Sequence, residues 1–92
     1  MPFKESTQVL VVEDNALYRE FVLALVRTRP EFQVIAQAAD GAEGVRIAEE
    51  LRPDLILLDI GLPGLNGIEA ARRILQLCPQ WKILFVSQNI AT

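Results

Sequence analysis

Four polar side chains stand where apolar runs end. Val9-Leu10-Val11-Val12 is followed at once by Glu13 and Asp14, Leu55-Ile56-Leu57-Leu58 by Asp59, and Ile83-Leu84-Phe85-Val86 by Ser87. Apolar runs without alternation read as strands buried on both faces, the mark of a parallel sheet. Residues that close such strands lie on the carboxyl rim, where open α/β sheets place their ligands. Carboxylates gathered there repel one another and raise each other's pKa unless a cation neutralises them. Mg²⁺ suits such a donor set, because hard ions take carboxylates, backbone carbonyls and waters. The chain has no histidine, and the donor set offers no thiol, which disfavours zinc. With the ion in place, one carboxylate can serve as a nucleophile toward a phosphoryl group.

Positioning these groups takes alternating strands and helices. Val9–Val12 reads as the first strand. Asn15 caps a helix whose Leu17, Phe21, Ala24 and Leu25 share one face at helical spacing. Arg27 and Arg29 suit the C-terminal dipole, and Pro30 stops the helix. Phe32–Ala39 reads as a second strand whose Gln33 and Gln37 suit an edge position. Asp40 and Glu43 resemble a capping box for a helix carrying Val45, Ala48 and Leu51 inward and ending at Arg52-Pro53. Leu55–Asp59 is the third strand. Asn66, with Glu69 three residues on, caps a third helix with Ile68, Ala71, Ile74 and Leu75 as its apolar stripe, closed by Pro79. Lys82–Ser87 reads as a fourth strand. Cys78 is expected to be a small core residue, and Trp81 and Phe85 to be core or helix cover.

This order predicts an α/β fold, a doubly wound parallel sheet with right-handed crossovers. In the flavodoxin-like order 2-1-3-4, the first and third strands are neighbours about 4.8 Å apart. Glu13, Asp14 and Asp59 then converge at one rim, and Ser87 joins them from the fourth strand.

Composition removes several function classes. A net charge of −3 provides no basic footprint, so nucleic-acid binding by this segment is not expected. No apolar run approaches the roughly 20 residues that cross a bilayer, and residues 1–7 lack the apolar core of a signal peptide. Without histidine there is no Ser-His-Asp triad and no phosphohistidine of the chain's own. Cys78 is the sole cysteine, which excludes an internal disulfide and suits a reducing cytoplasm. The Gly61, Gly64 and Gly67 series does not fit the G-x-G-x-x-G pattern, so these glycines read as turn geometry before a helix.

Taken together, Val11-Val12-Glu13-Asp14-Asn15, Asp54-Leu55-Ile56-Leu57-Leu58-Asp59, Leu62-Pro63-Gly64, Asn66-Gly67 and a strand ending in Ser87 resemble the receiver domain of two-component response regulators. The likeness runs from about Gln8 to the C-terminus. The stretch Asn66-Gly67-Ile68-Glu69-Ala70-Ala71-Arg72-Arg73-Ile74 resembles the NarL/FixJ-like group, whose receivers usually precede a helix-turn-helix DNA-binding domain. The resemblance implies a CheY-like fold and a signalling domain, not a multiple-turnover enzyme. Asp59 would be the phosphoacceptor, taking its phosphoryl group from a phosphohistidine on a sensor histidine kinase. Asp14 and Asp59 would ligate Mg²⁺ directly, Glu13 through water, and Gly61 by its backbone carbonyl. Ser87 would bind a phosphoryl oxygen and shift an inactive–active equilibrium.

The family pattern holds five βα units, whereas residues 1–92 are expected to form a single receiver domain with the fifth unit missing. The family's lysine and switch aromatic on that unit have no counterpart here, and neither Lys4 nor Lys82 matches the lysine in position. The fourth strand is then expected to be an exposed apolar edge, favouring strand addition or a swapped homo-oligomer. A second reading is a receiver-like module acting only through protein interactions. A haloacid-dehalogenase-type hydrolase also places an aspartate after an apolar strand, but it requires a second aspartate two residues later, and position 61 is glycine.

Overall fold

The computed structural model describes residues 6–62 and 64–87. Strands β1 (Thr7–Val12), β2 (Phe32–Ala38), β3 (Leu55–Asp59) and β4 (Lys82–Val86) alternate with helices α1 (Ala16–Arg27), α2 (Gly41–Leu51) and α3 (Gly67–Leu77). The sheet order is β2-β1-β3-β4, with all three pairings parallel. This is the doubly wound order expected above, and β2 with its two glutamines takes an edge. Pro63 and residues 88–92 lie outside the described residues, as does Lys4.

Both faces of the central strands are covered, which is why their sequences show no alternation. Leu10 and Val12 of β1 pack with Ile56 and Leu58 of β3 against Ala48 of α2 and Ala70, Ala71 and Ile74 of α3. Val9, Val11 and Leu57 point the other way, onto Val22 and Leu23 of α1. Each fully buried Leu or Ile contributes about 1.5–3 kcal/mol relative to an exposed one. Opposite the site, the Arg52 guanidinium lies 5.5 Å from the ring centre of Trp81, which packs on the edge of the first cluster.

The helix starts follow the capping residues. Asn15, Asp40 and Asn66 each accept a bond from the backbone N–H three residues on, at 2.8–2.9 Å. Glu43 reaches back to the Ala39 N–H at 2.9 Å, completing the reciprocal pattern one residue before the cap. Such caps contribute about 1 kcal/mol each. No helix among the described residues is long and apolar enough to cross a membrane.

The apolar face of α1 picked out by its spacing is not the face that the sheet covers. Leu17 is 85% exposed, and Phe21, Ala24 and Leu25 also face solvent, while Val22 and Leu23 are buried and Tyr18 and Val26 partly so. Two neighbouring rows of this helix are apolar, offset by one residue or about 100°. The sheet takes the Tyr18-Val22-Val26 row. Leu51, Ile68 and Leu75 are likewise more exposed than a core stripe requires. Cys78 is not a fully buried core residue: it caps α3 in extended backbone and is half-buried. Phe85 is half-exposed and not core. It sits on β4, which forms the other edge of the sheet among the described residues, with Leu84 56% exposed.

Candidate functional site

The register brings the strand ends together. Val12 pairs with Leu58, so Glu13 and Asp59 are the next residues on adjacent strands. Asp59 in turn pairs with Val86, which places Ser87 one step past it on the far side. One oxygen from each of Glu13, Asp14 and Asp59 lies within 4.8 Å of the others. Glu13 is fully buried and Asp59 is 3% exposed, whereas Asp14 opens to solvent.

Each carboxylate is held by its neighbours. The Glu13 N–H extends the β1–β2 ladder by donating to the Ala38 carbonyl at 3.0 Å. Its carboxylate accepts the Asn15 N–H at 2.9 Å, and its backbone carbonyl accepts Nη1 of Arg19 at 2.7 Å. Asp59 Oδ1 accepts the Gly61 N–H at 3.0 Å, which fixes the rotation of that side chain. The chain then turns sharply, with Ile60 N–H donating to Val86 at 3.1 Å and Gly67 N–H to Ile60 at 3.3 Å. Gly67 is required here. A Cβ on it would strike the Asp59 carbonyl oxygen and come within 2.7 Å of the Ile60 Cα. Only glycine lets the start of α3 lie against the end of β3.

Burial of Glu13 is the main cause that pushes its carboxyl up to about 7, and the charges of Asp59 and Asp14 push the same way. The Asn15 N–H opposes them by favouring the ionised form. The site thus carries more negative charge than its surroundings solvate well. Three carboxylates with neither thiol nor imidazole among them form a donor set that fits a hard divalent cation.

The expected residues Glu13, Asp14 and Asp59 are therefore together, Ser87 follows directly on the adjacent strand, and Gly61 engages Asp59 through its amide. Sequence reasoning missed Arg19 and Tyr18. Arg19 clamps the Glu13 carbonyl, and the Tyr18 hydroxyl donates to the Ser87 carbonyl at 3.0 Å. Neither contact has a local sequence signal, since both depend on where α1 docks.

The family model for the response regulator receiver domain matches residues 9–92. The chain belongs to this family. It is 40% identical over 80 residues to the transcriptional regulatory protein DegU of Brevibacillus brevis, covering 87% of this chain and 34% of that protein. The receiver thus spans about a third of that curated relative. A two-component response regulator of the LuxR family from Aurantimonas sp. superposes with a TM-score of 0.87 at 36% identity, over 91% of this chain and 60% of that one. The receiver domain of the sensor histidine kinase PA1611 from Pseudomonas aeruginosa, solved with a magnesium ion coordinated in its active-site cleft, superposes at 0.82 with 34% identity. That match covers 91% of this chain and 69% of that one. The fold is CheY-like, and receivers of transcriptional regulators are signalling modules.

Proposed function

We propose that this receiver accepts a phosphoryl group on Asp59 from a phosphohistidine of a sensor histidine kinase, with Mg²⁺ as its cofactor. The observation that carries the reading is the meeting of the Glu13, Asp14 and Asp59 oxygens within 4.8 Å at the ends of β1 and β3. Asp14 and Asp59 would hold the ion directly, Glu13 through water, and Gly61 through its backbone carbonyl. When bound, the ion offsets the charge of the carboxylates and of the incoming phosphoryl oxygens. The magnesium-bearing relative supports this assignment.

The Gly61 N–H engages Oδ1 of Asp59 and leaves the other oxygen to attack phosphorus. As the new O–P bond forms, the P–N bond to the kinase imidazole breaks, and its electron pair returns to the ring. The Ser87 hydroxyl then binds a phosphoryl oxygen and draws on the end of β4, biasing an inactive–active equilibrium. The acyl phosphate is a stored signal, so the domain is not a multiple-turnover enzyme. It works in the cytoplasm, where its kinase partner is phosphorylated. Nucleic-acid binding falls to a helix-turn-helix domain of a parent regulator, not to this acidic segment.

Acetyl phosphate with Mg²⁺ tests the reading. Intact-mass spectrometry should show one added phosphoryl group, lost with Asp59→Asn or with a chelator. A second partner class is a further copy of this chain, because β4 with its exposed Leu84 ends the described sheet. Light scattering that finds only monomers would remove it.

A further inference from the structure

A continuous path of hydrogen bonds leaves the acidic corner without passing through the phosphoacceptor. The Glu13 carboxylate accepts the Asn15 N–H at 2.9 Å. Asn15 Oδ1 accepts the Tyr18 N–H at 2.9 Å, and the Tyr18 hydroxyl donates to the Ser87 carbonyl at 3.0 Å, across 69 residues of chain. Tyr18 is anchored at both ends of this span. Its backbone belongs to the first turn of α1, its side chain packs against the cluster of Val9, Val11, Val22, Leu23 and Leu57, and its ring centre lies 5.9 Å from that of Phe21. The phenol therefore reaches the end of β4 from a part of the molecule fixed to the Glu13 loop.

We propose that Tyr18 is a positioning residue that sets the Ser87 hydroxyl for phosphoryl binding and couples the Glu13–Asn15 loop to the end of β4. The inference rests on the role proposed above for Ser87. A bond to the Ser87 carbonyl fixes the rotation of the residue's own backbone, and so the direction in which its side chain leaves the strand end. Without the phenolic hydroxyl, Ser87 loses this restraint on its orientation when a phosphoryl group arrives. One neutral hydrogen bond carries about a fivefold effect on such an equilibrium.

Tyr18→Phe removes only the hydroxyl and keeps the ring in its packed place. Two readouts are needed. In the free protein, the Ser87 carbonyl carbon resonance should move on Tyr18→Phe, as it must when its hydrogen bond is lost. In the presence of Mg²⁺, affinity for beryllofluoride, a phosphoryl mimic, should fall roughly fivefold. In a Ser87→Ala background, where the carbonyl bond persists but no side-chain hydroxyl is left to position, Tyr18→Phe should have no further effect on that affinity. A purely structural role for Tyr18 would produce the same loss in both backgrounds and would overturn the proposal. An unmoved Ser87 carbonyl resonance, or equal affinities in wild type and Tyr18→Phe, would overturn it as well. Wild-type protein that does not bind beryllofluoride at all would instead bring down the phosphoacceptor reading and this inference with it.

Discussion

Replacing Glu13 with glutamine is expected to stabilise the metal-free protein at pH 8 and to do almost nothing at pH 4.5. Glu13 is fully buried, and its carboxyl is pushed from 4.5 up to about 7 by burial first, then by Asp59 and Asp14. A folded-state value above the unfolded one means that the native protein binds this proton more tightly. The corresponding stability is fully present below about 4.5 and is lost as the pH rises through 7. At 1.36 kcal/mol per pH unit, the whole difference amounts to about 3 kcal/mol. Water at the exposed Asp14 side screens the cluster, which leaves on the order of 1–2 kcal/mol. Glutamine keeps the volume and an oxygen for the Asn15 N–H while discarding the charge. Thermal melts followed by circular dichroism in a chelator should therefore show Glu13→Gln melting above wild type at pH 8, by about 4–8 °C for each kcal/mol in a domain this small. The difference should close as the pH falls to 4.5. A wild-type melting temperature with the same pH profile as the variant would refute the claim that burial and the adjacent carboxylates raise the Glu13 carboxyl.

Three further substitutions test the scaffold. Gly67→Ala forces backbone against backbone at Asp59 and Ile60, so it should cost about 1–3 kcal/mol in chemical denaturation and weaken phosphorylation as the acceptor shifts; an unchanged midpoint would refute the close approach. On α1, Leu23→Ala should cost about 2–5 kcal/mol, whereas Leu17→Ser at its exposed position should stay within about 0.5 kcal/mol of wild type. A reversal of those two effects would return the helix to the face expected from its sequence.

Much of the site was legible in the sequence because strand chemistry is local. A carboxylate directly after four apolar residues reads as a strand end, and the pairing of β1 with β3 in a parallel sheet brings two such ends together. The polar Gln33 and Gln37 marked β2 as an edge for an equally local reason, since a strand with solvent on one side tolerates them. The three caps were readable from the side chains of Asn15, Asp40 and Asn66 alone. The face of α1 was not. Leu17, Phe21 and Leu25 are as apolar as Tyr18, Val22 and Val26, and periodicity cannot choose between two rows when both satisfy it. The sheet chose, through Val9, Val11 and Leu57. Because that docking was hidden, so were the Arg19 clamp and the Tyr18 bond, which exist only once α1 lies in its observed place. The raised carboxyl was predicted in kind from like charges, but its main cause, the burial of Glu13, came from the fold.

The most direct test of the phosphoacceptor claim is to locate the modified atom. The protein should be treated with acetyl phosphate and Mg²⁺, then with borohydride, which reduces an aspartyl phosphate to homoserine, and mapped by tandem mass spectrometry. The expected result is homoserine at position 59, absent when Mg²⁺ is removed. Homoserine at position 14 or elsewhere, or none under conditions that modify a control receiver, would contradict the assignment of Asp59 as the residue that carries the signal.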